Sequence, residues 1–271
     1  RDRSVSRGLG DVYKRQECIS LKEIELPTTL TDIKNGAFQN CWSLASIQIP
    51  DNVTTISQSS FYHCTSLIQV KFPTKLKSIS NSAFQECSAL TKINLPEGVL
   101  TISSNAFYQC SALEEISFPS TLTTLGSTAF YHCSNLTEIT LPASLTYCYH
   151  PFYECHNIKK VTCLASVPPT LENDYDILYG VDKSSTELLV PFWSVNSYKL
   201  ASGWDAFPTI NPLDYETDLI NVPGELVIAA DIRFKNNPTV SVFDNGRLTV
   251  RGTDALSMKK YTQSHTLSGY D

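Results

Sequence analysis

Six prolines stand at positions 27, 50, 73, 96, 119 and 142, each 23 residues after the one before. The residues around them recur too. Leu21…Ile24-Glu25-Leu26-Pro27 returns as Leu44…Ile47-Gln48-Ile49-Pro50, Leu90…Ile93-Asn94-Leu95-Pro96 and Leu136…Ile139-Thr140-Leu141-Pro142. A unit this short cannot bury its own apolar face, so it must stack on its neighbours as a solenoid. Such a stack offers a long surface and, as a rule, no catalytic pocket.

One unit runs from Cys41 through Leu44, Ile47, Ile49, Pro50, Val53, Ile56, Ser60 and Phe61 to Cys64. Each column holds along the chain: Phe at 38, 61, 84, 107, 130 and 152, Leu at 21, 44, 67, 90, 113 and 136, then Ile158. The final unit is one residue short. Ile47-Gln48-Ile49 alternates in–out–in, the period of a short strand, and the following Pro has no N–H to continue a ladder. The expected product is a narrow parallel sheet, with neighbouring strands about 4.8 Å apart. Each coil contributes six or seven apolar side chains, each worth on the order of 1.5–3 kcal/mol once a neighbour covers it.

The 271 residues leave room for one or two domains. With 42% hydrophobic and 18% charged residues the composition is that of a globular chain. A formal charge of −6 disfavours nucleic acid, whose phosphates need a concentrated basic surface. No apolar run approaches the ~20 residues that span a bilayer. Residues 1–16 lie outside the repeat: they carry four Arg and one Lys without a start Met or an apolar stretch. Ser4–Gln16 resembles the translated sequencing-adapter tails of proteins from metagenomic assemblies and is expected to be a non-native tail.

Nine cysteines invite a disulfide or metal reading. Six of them, at 18, 41, 64, 87, 110 and 133, share one column, and Cys155 continues it. Side chains in a stacked column point in parallel and offer no unique pairing, so buried free thiols are expected. The tighter group Cys148, His150, Cys155, His156 and Cys163 lacks zinc-site spacing. Cys148 and Cys163 also stand where the repeat puts Ile or Leu. No metal or cofactor is expected.

The pattern Phe-x-x-Cys-x-x-Leu-x-x-Ile-x-Leu-Pro-x-x-Leu-x-x-Ile, carried by residues 18–163, resembles the BspA-type leucine-rich repeat of bacterial surface proteins. It differs from the ribonuclease-inhibitor-like form in its Pro after the strand and its lack of an Asn ladder. Val161–Pro169 resembles the exit of the last coil. Leu189-Val190-Pro191, Ser194-Val195, Tyr198, Gly203-Trp204 and Phe207 resemble the family's closing motif. They imply a strand, a turn, a short helix over 195–201, and aromatic rings over the open end of the core. Phe192 and Trp193 depart from that pattern and are expected to pack on the next module. The fold class is therefore a leucine-rich repeat solenoid over 17–166 with a C-terminal cap at 167–212. A partial β-rich module is expected at 213–271. There Glu225–Ala230 reads as a strand, and Thr239–Phe243 and Arg247–Val250 read as a hairpin closed by Asn245-Gly246.

The outward strand positions, from Glu23/Glu25 to Lys160/Thr162, mix charges without repetition and read as a solvated face. The residues between Phe and Cys are more distinctive. Tyr62, Tyr108, Tyr131 and Tyr153 occupy one outward column, and the last three fall on successive coils. Tyrosine brings large amphipathic area at low entropic cost, so these four are the candidate ligand-binding residues; a self-shielding structural ladder is the competing reading. No catalytic motif is present. His63 and His132 share a column about 14 Å apart by strand spacing, too far for joint proton transfer. Glu172, Asp174, Asp176 and Asp182 form an acidic loop without the residues of a calcium loop. The resemblance implies a cell-surface or secreted adhesion module, with host extracellular matrix proteins such as fibronectin or fibrinogen as partners. The alternative is a targeting arm of a larger secreted enzyme.

Overall fold

The computed structural model describes residues 18–171, 177–180 and 183–213, and four strands beyond them, Ala229–Phe234, Thr239–Val242, Leu248–Arg251 and Leu256–Lys260. The basic N-terminal tail and the four acidic residues of the 172–182 loop lie outside the described residues.

The consensus spacing has a direct geometric cause. Cys41 N–H donates to the Phe38 carbonyl, Leu44 N–H to Cys41, and Val53 N–H to Pro50. The same bonds recur coil after coil, as in Cys87 to Phe84, Leu90 to Cys87 and Leu122 to Pro119. Each is a four-residue turn with its two ends brought together. Phe-x-x-Cys-x-x-Leu is thus two linked turns whose shared corners face the core and whose middle residues face solvent.

Between turns, the inner strands pair in parallel at the offset of the repeat: Ile47 with Val70, Ile93 with Ile116. Where the unit is one residue short, the offset falls to 22, as in Ile139 with Val161. A second parallel ladder, six strands deep, runs through the Ile column from Thr55–Ile56 to Thr170–Leu171. In the sequence this column reads as packing, not as a sheet. Two-residue strands are too short to show a period.

The core is a single spine. Phe38, Phe61, Phe84, Phe107, Phe130 and Phe152 stack with centroids 5.0–5.3 Å apart and planes within 15° of parallel. All are buried. Phe72 and Phe118, which replace the last apolar residue of the strand, meet Phe84 and Phe130 edge-on at 5.7 Å. The cysteine column lies beside the spine. The thiols of Cys64, Cys87, Cys110, Cys133 and Cys155 each donate to the carbonyl of the Phe one coil earlier, at 2.9–3.3 Å. All nine cysteines are free thiols. Burial pushes the Cys41 thiol up to about 11 and that of Cys155 to about 12, so neither ionises readily.

The closing motif folds as its residues imply. The strand Glu187–Val190 joins the inner sheet beside Lys160–Cys163, and the helix spans Val195–Leu200. The Tyr198 hydroxyl donates to the Ala165 carbonyl at 2.9 Å and lies 3.1 Å from Cys163 Sγ. Trp204 Nε1 donates to the Pro169 carbonyl at 2.9 Å. Both rings are fully buried and meet edge-to-face at 5.1 Å. Phe192 and Trp193 contact one another at 5.8 Å.

Further along, Thr239–Val242 pairs antiparallel with Leu248–Arg251, and Ala229–Phe234 with Leu256–Lys260. The Asn245-Gly246 turn and residues 225–228 of the expected strand lie outside the described residues.

Candidate functional site

The turn face is built by backbone conformation as much as by side chains. The second residue after each Phe adopts a left-handed conformation: Asn40, His63, Glu86, Gln109, His132 and Glu154 all have φ of 55–61°. A second left-handed position precedes the Phe, at Ser59, Ser82, Asn105 and Thr128. Such residues cost about 1–2 kcal/mol each outside Gly. Here the conformation turns alternate N–H groups toward the next coil. His63 N–H bonds the Gln85 carbonyl, Gln109 that of Tyr131, and His132 that of Tyr153. The hydrogen-bonded ladder holds the strain and fixes where each outward side chain stands.

On this frame the tyrosines come together as the column spacing requires. Tyr108 and Tyr131 stack at 4.5 Å with planes 14° apart. Tyr131 meets Tyr153 edge-on at 5.2 Å. All three are half-buried, each ring covering part of the next, rather than standing free of the surface. Tyr62 is separated from them by the coil that carries Gln85. Its hydroxyl donates to Glu86 Oε1 at 3.1 Å. Burial, then the nearby Glu86 carboxylate, raises the Tyr62 phenol above its ordinary range. Burial, then Tyr131 and Glu86, raises that of Tyr108.

Two members of this surface were missed in the sequence. Tyr179 continues the column, 5.3 Å from Tyr153, and its carbonyl accepts the Glu154 N–H as Tyr153 accepts that of His132. Leu178 is buried next to it and Gly180 is left-handed at φ 80°. Leu178-Tyr179-Gly180 is therefore a further turn in the place of Phe-Tyr-Glu. It escaped notice because it comes 26 residues after its counterpart instead of 23. A Cβ at Gly180 would sit 2.6 Å from the Tyr153 ring, so only Gly allows this contact. Trp42, 45% exposed, meets the His63 ring at 5.9 Å and extends the aromatic surface at the other end. It belongs to no column, and a lone exposed Trp carries no periodic signal.

His63 faces Trp42, Tyr62 and Glu86, while His132 tilts on Tyr131 at 5.8 Å. His156 Nε2 pairs with Glu154 at 2.7 Å. Among the described residues no group of three His, Cys, Asp or Glu is arranged to hold a metal ion. Cys148 and Cys163 lie buried in the two ladders. The strand face forms a shallow open depression of about 520 Å³ lined by Lys92, Glu115, Ile116, Glu138 and Thr140. Lys92 Nζ there is bonded to Glu115 at 2.6 Å. No helix among the described residues is long and apolar enough to cross a membrane.

Among known proteins, residues 13–110 and 77–173 match the BspA type Leucine rich repeat region in six copies. No curated protein matches the chain. A leucine-rich repeat protein from Bacteroides ovatus ATCC 8483 is 26% identical and superposes with a TM-score of 0.51, over 74% of this chain and 63% of that one. The chain thus spans less than two thirds of that relative's length. A leucine-rich repeat protein from T. pallidum is 24% identical with a TM-score of 0.45, over 62% of this chain and 71% of that one. A leucine rich cell surface protein from Faecalibacterium prausnitzii A2-165 is 18% identical with a TM-score of 0.26, over 71% and 66%.

Proposed function

The chain belongs to the BspA-type leucine-rich repeat family, and from that premise we propose that it is a non-enzymatic protein-binding module acting at the cell surface or outside the cell. Its recognition surface is the tyrosine ridge of the turn face: Tyr62, Tyr108, Tyr131 and Tyr153, extended by Tyr179. The observation that carries this reading is the ridge itself. Rings 4.5–5.3 Å apart stand on a frame of inter-coil hydrogen bonds, so a large amphipathic area is already ordered before any partner arrives. Preordered aromatic area is what binding hot spots are made of, because little entropy remains to be lost. The strand face offers no comparable anchor. Its outward residues are polar or charged, and Lys92 and Glu115 neutralise one another.

The partner class is protein, with host extracellular matrix proteins such as fibronectin and fibrinogen the first to try, and the role is adhesion. The full chain is immobilised and exposed to these proteins, beside a variant with Tyr62, Tyr108, Tyr131 and Tyr153 all changed to Ser. The proposal expects saturable binding that falls at least about tenfold in the variant, each ring contributing on the order of 1 kcal/mol. The far-UV spectrum of the variant stays that of the parent. Equal binding by parent and folded variant would remove the ridge from the account.

A further inference from the structure

The tyrosine column has one gap, and its surroundings describe what fills it. Between Tyr62 and Tyr108 the intervening coil carries Gln85, not a ring. The two coil steps there measure 5.0 and 5.2 Å along the phenylalanine spine. Gln85, half-buried at that rung, puts a flexible amide where the neighbouring coils put a flat ring. Tyr131 covers one face of Tyr108, and the rung of Gln85 and Glu86 lies on its other side.

Glu86 stands at the same rung. Its Oε1 accepts from the Tyr62 hydroxyl at 3.1 Å and from Gln85 Nε2 at 3.4 Å, which orients the carboxylate. Its Oε2 lies 3.7 Å from His63 Nε2, an ion pair when that ring is protonated. The surrounding charge is one-sided. Residues 57–68, 80–91, 103–113, 126–137 and 149–158, the turns from Tyr62 to Tyr153, contain no Lys or Arg. Their only basic groups are His63, His132, His150 and His156. Aromatic rings on either side, a carboxylate held between them and turns without Lys or Arg together describe a place for a guanidinium. Arginine is the side chain that stacks flat on aromatic rings while donating to a carboxylate.

We propose that the notch formed by Tyr62, Gln85, Glu86 and Tyr108 takes an arginine side chain of the partner protein, which completes the tyrosine stack. This rests on the ridge being the recognition surface. It adds that the ridge reads a basic, arginine-bearing segment through one slot.

The test uses the full chain and a fluorescent 12-residue peptide of alternating Arg and Ser. Matched peptides carry Lys, or neutral citrulline, in place of Arg. The slot predicts that Arg binds about tenfold better than citrulline and about threefold better than Lys. Glu86→Gln and Tyr108→Ser should each weaken the Arg peptide about three- to tenfold. Gln85→Tyr restores a ring of the kind the neighbouring coils carry, so it leaves the fold intact while closing the slot, and should abolish the preference for Arg. Glu138→Gln, on the strand face, should change nothing. Equal binding of Lys and Arg peptides, an effect of Glu138→Gln as large as that of Glu86→Gln, or full Arg binding by Gln85→Tyr would overturn the slot. The two readings fail separately. If a matrix protein binds through the tyrosines yet ignores Gln85→Tyr, the slot is wrong and the ridge stands. If the slot holds arginine while the four-tyrosine variant keeps full matrix binding, the ridge is wrong.

Discussion

The thiols of the cysteine column act as small apolar fillers and as hydrogen-bond donors at once. Each sits beside a Phe ring and donates to the Phe carbonyl of the coil before. The filler role was legible in the sequence, because a column at constant spacing in a packed unit must face one way. The donor role was not, since no spacing reveals that a carbonyl lies in reach. Burial raises these thiols, so they react slowly. Cys18 alone is half-exposed, and the other eight are buried. In the native chain a thiol reagent should find one reactive cysteine, and nine after denaturation; several fast thiols in the folded chain would contradict the packing. His150 gives the other residue-scale prediction. It lies in the shortened coil against Tyr149, Tyr153 and Ser127, and burial lowers its pKa from the ordinary 6.5. The unfolded chain therefore takes up this proton first as pH falls. The contribution of His150 to stability is full above about pH 6.5 and declines below it. The drop in Tm from pH 7.5 to 5.5 should be smaller in His150→Asn, since Asn tolerates the positive φ of 28° found at His150; an unchanged drop would show that burial of His150 does not matter.

Among the elements, the inner strands and the cap were the most legible. Alternation and Pro27-type punctuation mark the strands, while Leu189-Val190-Pro191, Tyr198, Gly203-Trp204 and Phe207 carry the resemblance to the family's closing motif. The second ladder and the left-handed turns were not legible. Strands of two residues leave no alternation, and Ser59, His63, Glu86 or Thr128 give no hint of positive φ as a Gly would. The same blindness hid the turn at 177–180, where an altered length broke the period. The cap has a clear test. Tyr198→Phe leaves the Ala165 carbonyl without its donor inside the core and should cost about 1–3 kcal/mol. Trp204→Ala removes a fully buried ring and should cost about 3–5 kcal/mol. Amide exchange should speed up first at 160–171 in both variants, next to the cap. Uniform acceleration across all coils would mean that the array opens only as a whole.

The described coils form a one-dimensional stack in which each shields its neighbours, and the same spacing that builds the core builds the surface. A 5.0–5.3 Å step in the Phe spine sets a 4.5–5.3 Å step in the tyrosine ridge. Core and ridge are therefore coupled. Phe84→Ala, in the middle of the spine, should cost about 3–5 kcal/mol. It should also lower partner binding under conditions where the chain remains folded, because the rung carrying Gln85 and Glu86 loses its support. Urea unfolding followed together with binding checks this, and a destabilised variant with unaltered affinity would separate the two. The ridge was readable from the repeat because a column in a known phase has only one place to stand. Its gap at Gln85 acquires meaning only beside the geometry of Tyr62, Glu86 and Tyr108. The most direct measurement of the central claim is hydroxyl-radical footprinting of the chain with and without a bound matrix protein, read by mass spectrometry at single residues. The account predicts protection at Tyr62, Tyr108, Tyr131, Tyr153 and Tyr179, with Ile116 and its strand-face neighbours unchanged; protection centred on the strand face, with the tyrosines still oxidised, would contradict it.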